Sequence, residues 1–272
     1  MTALKLFVDA IAFWSPTLPD WGRARAAFRG EGDGLALPAR RPVAALLPPA
    51  ERRRAPDTVA LALEVAAAAV AQSQRPAAEL LSVFSSCHGD LAITDAMCAT
   101  LVDHPQLVSP TRFHNSVHNA ASGYWGIATG CMRASTALSA FEHSFAAGLL
   151  EAATQAVAED RAVLLVGYDT QACGALASTT ASRGLLAVAL VLAPRPGPHG
   201  IATLECALGA VPDEPPPLRS GAARSLAANA MADALPLFEA LARVDSDTAA
   251  STLCLPLSAT LALHVKLTDS AG

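Results

Sequence analysis

The stretch "STALSAFEHSFAAG", Ser135 to Gly148, decides the fold. A short run with strand character enters a small-residue run with helical character, the corner on which many α/β enzymes mount a nucleophile. Phe141, Glu142, His143 and Ser144 hold this corner. A serine at a helix start would lie near free N–H groups able to stabilise an oxyanion. No GxSxG surrounds Ser144, however, and the residue at the entry is a bulky phenylalanine. The mount is legible; its chemistry is not.

Working outward, "AVLLVGYD", Ala162 to Asp169, is continuously apolar and reads as a fully buried strand. Upstream, "ELLSVFSS", Glu79 to Ser86, reads as another, followed by a helix that stops before Pro105. Asp57 is placed to cap a strong helix former, "TVALALEVAAAAVAQS". Leu4 to Trp14 reads as the opening strand, and the Pro-, Gly- and Arg-rich residues 16–56 as a surface excursion. The run "ERRR", Glu51 to Arg54, reads as a solvated turn before the next helix. Beyond Asp169, "LLAVALVLA" and "IATLECALGA" are strand candidates, and 211–221 is a Pro-rich loop. A helix from about Ser225 to Arg243 should be kinked or split by Pro236, and one or two strands close the chain. Alternating helices and buried strands predict a layered α/β domain spanning 1–272.

The 272 residues are 52% hydrophobic, and the net charge is −5. No basic tract could displace phosphate counterions, so nucleic acid is not an expected partner. The six cysteines lack a CxxC pair and read as reduced thiols. The N-terminal residues are too charge-interrupted for a signal peptide, and no apolar run reaches a membrane-spanning length. The expected location is therefore cytoplasmic, with no membrane span.

Three further constellations carry candidate chemistry. His114 and His118 have the i,i+4 spacing of a zinc site if helical, but "HNSVH" has no glutamate in the general-base position. They are expected to order the loop with Asn115, Asn119, Ser122 and Gly123, and no metal is expected. Gly123, Gly126 and Gly130 in the following helix predict a closely packed neighbouring backbone. "SSCHGD", Ser85 to Asp90, sets Cys87 and His88 at the end of a buried strand. Adjacent residues diverge, so a Cys87 nucleophile would need His114 or His118 brought to it by the fold.

In order, "SPTRFHNSVHNAASGYWGIATG" (109–130), "ASTALSA" (134–140), a small-residue helix and "AVLLVGYD" resemble the N-terminal half of β-ketoacyl synthases. The resemblance is strongest over about 57–192. It implies a thiolase-like α-β-α fold, truncated to mainly the N-terminal half of a ketosynthase. It aligns Asn119 to Gly123 with the segment before the nucleophile strand, Ser139 and Ala140 with the strand's end, and Phe141 with the nucleophilic cysteine. A phenyl ring cannot attack a thioester, whereas a cysteine at a helix N-terminus can. Nor do the histidines stand in the contexts from which full-length members draw theirs.

The pattern is similar to the short chain-length-factor-like proteins of aryl-polyene and xanthomonadin-type pigment clusters. That likeness implies a pseudoenzyme with no catalytic residue and no cofactor. Its partners would be a full-length ketosynthase, in a heterodimer, and an acyl carrier protein. The acyl chain would be an indirect ligand, its tunnel shaped by Ser139, Ala140, Phe141, Glu142, His143 and Ser144, with the Phe141 ring closing a cavity. The alternatives are a standalone acyl-transfer or hydrolytic enzyme using Cys87 with a nearby histidine, and a purely structural thiolase-like scaffold.

Overall fold

A computed structural model describes residues 3–31, 38–39, 41–198, 200–213, 217–245 and 250–269. Its eight strands form one mixed sheet. They are β1 (Leu4–Trp14), β2 (Leu81–Ser85), β3 (Ser135–Leu138), β4 (Val163–Asp169), β5 (Leu186–Ala193), β6 (Ala202–Ala210), β7 (Ser251–Pro256) and β8 (Leu261–Asp269). The order across the sheet is β3-β2-β4-β5-β1-β6-β8-β7. The β3, β2 and β4 strands run parallel, and every other neighbouring pair is antiparallel.

The helices lie in layers on the two sheet faces. They are α1 (Trp21–Arg29), α2 (Pro49–Arg54), α3 (Asp57–Ser73), α4 (Leu91–Asp103), α5 (Pro110–Asn115), α6 (Ala120–Thr129), α7 (Ser144–Glu159), α8 (Gly221–Leu226) and α9 (Leu235–Arg243). Helices α3 and α6 cover one face, and α7 with α1 and α9 the other. Strand alternation feeds both cores: in β5, Leu186, Val188, Leu190 and Leu192 face α7, while Ala187, Ala189 and Val191 face α3. In β1 a register shift between Val8 and Ala10 moves the α7-facing set from Leu6 and Val8 to Ile11 and Phe13. The buried Asp9 at that bulge accepts from Arg75 Nε at 2.8 Å.

Several expectations change in detail. Pro56, not Asp57, precedes α3, because its extended backbone lets its carbonyl accept from Ala60 N (3.0 Å). Asp57 is the first helical residue and pairs with Arg41 Nε at 3.3 Å. Residues 16–56 are more than a surface excursion. Within them α1 buries Ala24 and Phe28, and Phe28 meets Phe13 edge-on at 5.4 Å. The run from Glu51 to Arg54 is helical, inside α2, rather than a turn. Parts of that excursion (32–37 and 40) and of the Pro-rich loop (214–216) lie outside the described residues. The chain splits before Pro236, which sits second in α9, where a helix has no use for its missing N–H. Among the described residues no helix is long and apolar enough to cross a membrane.

The glycines of α6 do not share one cause. A Cβ on Gly126 would meet the Cys131 carbonyl at 3.3 Å, and Gly130 closes the helix with φ +67°. Gly123 has nothing within 4 Å of that position, so no backbone among the described residues requires it. A tighter approach, to a side chain rather than a backbone, occurs in α7. There a Cβ on Gly148 would come within 3.0 Å of the Ser85 Cβ.

Candidate functional site

The corner between β3 and α7 is built from its own polar atoms. The chain leaves β3 at Leu138, makes a 3-10 turn over Phe141–His143 and enters α7 at Ser144. Phe141 sits at φ +56°, a left-handed conformation that an aromatic residue rarely adopts. The buried Ser144 explains how it is held: its Oγ donates to the Phe141 carbonyl at 2.6 Å and accepts from Ala140 N at 3.0 Å. Ser85 Oγ donates to the Ser144 carbonyl at 2.5 Å, and Ser139 Oγ to the Cys87 carbonyl at 2.7 Å. The Ser144 hydroxyl is thus a turn-former, fully occupied.

Behind the corner, Asp233 meets the start of α7. Its Oδ2 accepts from Phe145 N at 2.8 Å and from Ala146 N at 3.2 Å, while its Oδ1 is enclosed without a partner. Burial pushes this carboxyl up to about 8, against the pull of the two N–H bonds and with nearby Asp169 adding to the rise. Asp169, at the end of β4, is buried and also raised by burial. It accepts from Ser86 Oγ at 2.6 Å and from Cys87 N at 2.9 Å. A cleft of about 650 Å³ opens beside the corner, lined by Cys87, Phe141, Glu142, Arg183, Asn229 and Asp233 among others.

Phe141 borders this cleft rather than filling it: the residue is 62% exposed. Glu142 is exposed on the cleft wall, and the half-buried His143 ring makes no hydrogen bond among the described residues. The Cys87 thiol stands 3.6 Å from Thr180 Oγ1. Burial pushes it up, and Asp169, Asp233 and Glu142 push further, so the thiolate is disfavoured.

The imidazoles of His88, His114 and His118 are engaged elsewhere. His88 Nδ1 turns to the Gly89 carbonyl at 2.9 Å, and His118 Nε2 meets the Ser86 carbonyl at 3.0 Å. His114 lies edge-on to Tyr124 at 6.1 Å. His114 and His118 do not share a helix face, because α5 ends at Asn115. Among the described residues no group of three or more His, Cys, Asp or Glu could hold a metal ion. Asn115 is buried and accepts from Tyr124 Oη at 3.1 Å. The Asn119 carbonyl accepts from Ser122 Oγ (2.9 Å) and Gly123 N (3.0 Å). Sequence reasoning missed Asp169 and Asp233. The first carried a signal, a lone carboxylate ending an apolar strand; the second is one acidic residue in an alanine-rich run.

The arrangement is a strand–elbow–helix with a strained corner and no nucleophile on it. A family model, "Beta-ketoacyl synthase, N-terminal domain", matches residues 29–252. The chain belongs to that family. No curated protein matches it significantly. Among solved structures, a chain in the complex of a ketosynthase with its chain length factor from Xenorhabdus doucetiae aligns with a TM-score of 0.71 and 22% identity, over 97% of this chain and 99% of that one. A chain of a type II polyketide acyl-carrier protein in complex with its ketosynthase, bound to the hexaketide, aligns at 0.76 and 12%, over 98% and 100%. A chain of the ishigamide ketosynthase/chain length factor aligns at 0.74 and 14%, over 97% and 99%. At these identities the likeness establishes the thiolase-like ketosynthase fold. This family member matches the three chains nearly end to end.

Proposed function

We propose that this chain is a non-catalytic, chain-length-factor-like subunit of a β-ketoacyl-[acyl-carrier-protein] synthase. It pairs with a full-length ketosynthase that condenses acyl units delivered by acyl carrier protein, in aryl-polyene, polyketide or fatty-acid-type biosynthesis in the cytoplasm. The observation that carries this reading is the corner at Phe141. Its φ of +56° keeps the backbone of a nucleophile mount, while the side chain on it has no atom able to attack a thioester. Phe141 accordingly stands at the nucleophile position, and the two N–H groups leading α7 are already taken by Asp233.

The outer surface supports a partner. Val102 is 82% and Met132 94% exposed, and Leu101, Leu107 and Phe113 are exposed as well. The edge strand β3, which follows Met132 in the chain, is last in the sheet and pairs with β2 alone. That is a surface for another subunit. It adjoins the corner, so a ketosynthase seated there would meet the exposed Phe141 ring, which would help shape the end of its acyl tunnel. A standalone enzyme using Cys87 has less in its favour: its thiol is pushed up and faces a threonine.

Co-expression with a full-length ketosynthase tests the proposal. The expected result is copurification, with condensation that needs the partner's active-site cysteine and survives replacement of all six cysteines here. Acylation of Cys87 by an acyl-carrier-protein donor would sink it.

A further inference from the structure

A trough that shares no lining residue with the corner cleft has the makings of a second site. One arm, of about 730 Å³, lies between α2 and the α5–α6 pair and is walled by Leu46, Leu47, Val117, Tyr124 and Ile127. The other, of about 390 Å³, gathers the starts of α3, α4 and α5 and is polar at its head. The arms meet at Arg54 and Thr111, which line both. Their sizes fall in the range of roughly 300–1,000 Å³ typical of small-molecule sites.

The charges in the trough are unevenly satisfied. Arg54 and Arg112 both front the polar arm, and neither guanidinium makes an ion pair or hydrogen bond among the described residues. The carboxylates beside them are engaged. Asp57 pairs with Arg41 at 3.3 Å, and Asp90 accepts from Ile93 N and from Thr58 Oγ1, each at 2.9 Å. The two guanidiniums are left without a partner among the described residues, and a guanidinium pairs best with the planar or tetrahedral oxygens of a carboxylate or phosphate. Glu51 lines only the apolar arm and repels an anion from that end. Ile127, 83% exposed, offers bare hydrocarbon there.

We infer that this trough binds a single-chain anionic amphiphile. Its carboxylate or phosphate head lies between Arg54 and Arg112, and its aliphatic tail runs along Leu46, Val117 and Ile127. The inference is independent of the partner reading, because the trough is complete within one chain.

Calorimetric titration of the purified chain with decanoate, decyl phosphate, decanol and butyrate tests it. Decanoate and decyl phosphate should bind, with decanol and butyrate at least about tenfold weaker, since each lacks one half of the recognition. Arg54→Gln and Arg112→Gln, both at exposed positions, should each weaken decanoate about fivefold or more and leave decanol unchanged, while Ile127→Asp should weaken both. Tighter binding of decyl phosphate than of decanoate would identify a phosphate ester as the source; the reverse order, a free fatty acid. Equal binding of decanoate and decanol, unchanged arginine variants, or no binding at all would overturn the site. So would loss of decanoate binding once a ketosynthase is bound, which would assign the trough to the partner. Failure to copurify with a ketosynthase leaves this titration unaffected.

Discussion

The corner at Phe141 and the trough at Arg54 and Arg112 solve opposite problems. At the corner, backbone donors and hydroxyls are used up from within: Ser144 bonds the turn, Ser85 bonds Ser144, and Asp233 fills the start of α7. In the trough Asp57 and Asp90 have partners, and the Arg54 and Arg112 guanidiniums have none among the described residues. The chain keeps the start of α7 shut with its own side chains. Its unspent binding capacity lies on the outer surface.

The largest effect expected from breaking the corner is electrostatic. Asp233 ordinarily ionises near 3.8, and burial raises it to about 8. The folded state therefore holds a proton that the unfolded chain releases. Stability should be full below about pH 4, fall as pH rises towards 8, and level off above, a change on the order of a few kcal/mol. Asp233→Asn keeps an oxygen for Phe145 N and Ala146 N but cannot ionise. Its melting temperature should be nearly flat across that window and higher than the parent's at pH 8. A parent profile that rises with pH would mean that Asp233 is not the group being desolvated.

Phe141 offers a smaller effect of the same origin. Holding a residue with a Cβ in the left-handed region costs about 1–2 kcal/mol, and glycine adopts it freely at some cost in unfolded-state entropy. Because the ring is 62% exposed, little burial is lost with it. Phe141→Gly should therefore stabilise the chain by about 1 kcal/mol in urea unfolding. In a complex with a ketosynthase the same variant should lengthen the products. Unchanged lengths would remove the ring from chain-length control while leaving the strain argument intact.

What could be seen in the sequence follows from how local each cause is. The continuous apolar runs of β4 and β5 and the small residues of α7 declare themselves, because burial on both faces leaves no room for polar alternation. The corner could be located from the β3–α7 junction, and Phe141 from a family likeness. Asp233 could not, since 88 residues separate it from the Phe145 N–H that it meets and nothing near it in the chain marks the partnership. Arg54 reads in the sequence as part of a solvated turn for the same reason. Its meaning comes from Arg112 and Thr111 on α5, which only the folded chain brings alongside.

Gly123 gives the smallest effect and separates the two regions most finely. It lies inside α6 and lines the apolar arm of the trough, and a Cβ there would touch nothing within 4 Å. Glycine costs about 0.5–1 kcal/mol relative to alanine in a helix interior, so Gly123→Ala should stabilise the isolated chain by about 0.5 kcal/mol. The added methyl projects into open space, so copurification with a ketosynthase should be unaffected if the partner sits at the edge strand β3. If the variant is more stable alone but loses its partner, a second backbone presses on α6 in the complex. The trough and the subunit surface would then be one region, and the glycine would owe its place to the partner rather than to this chain.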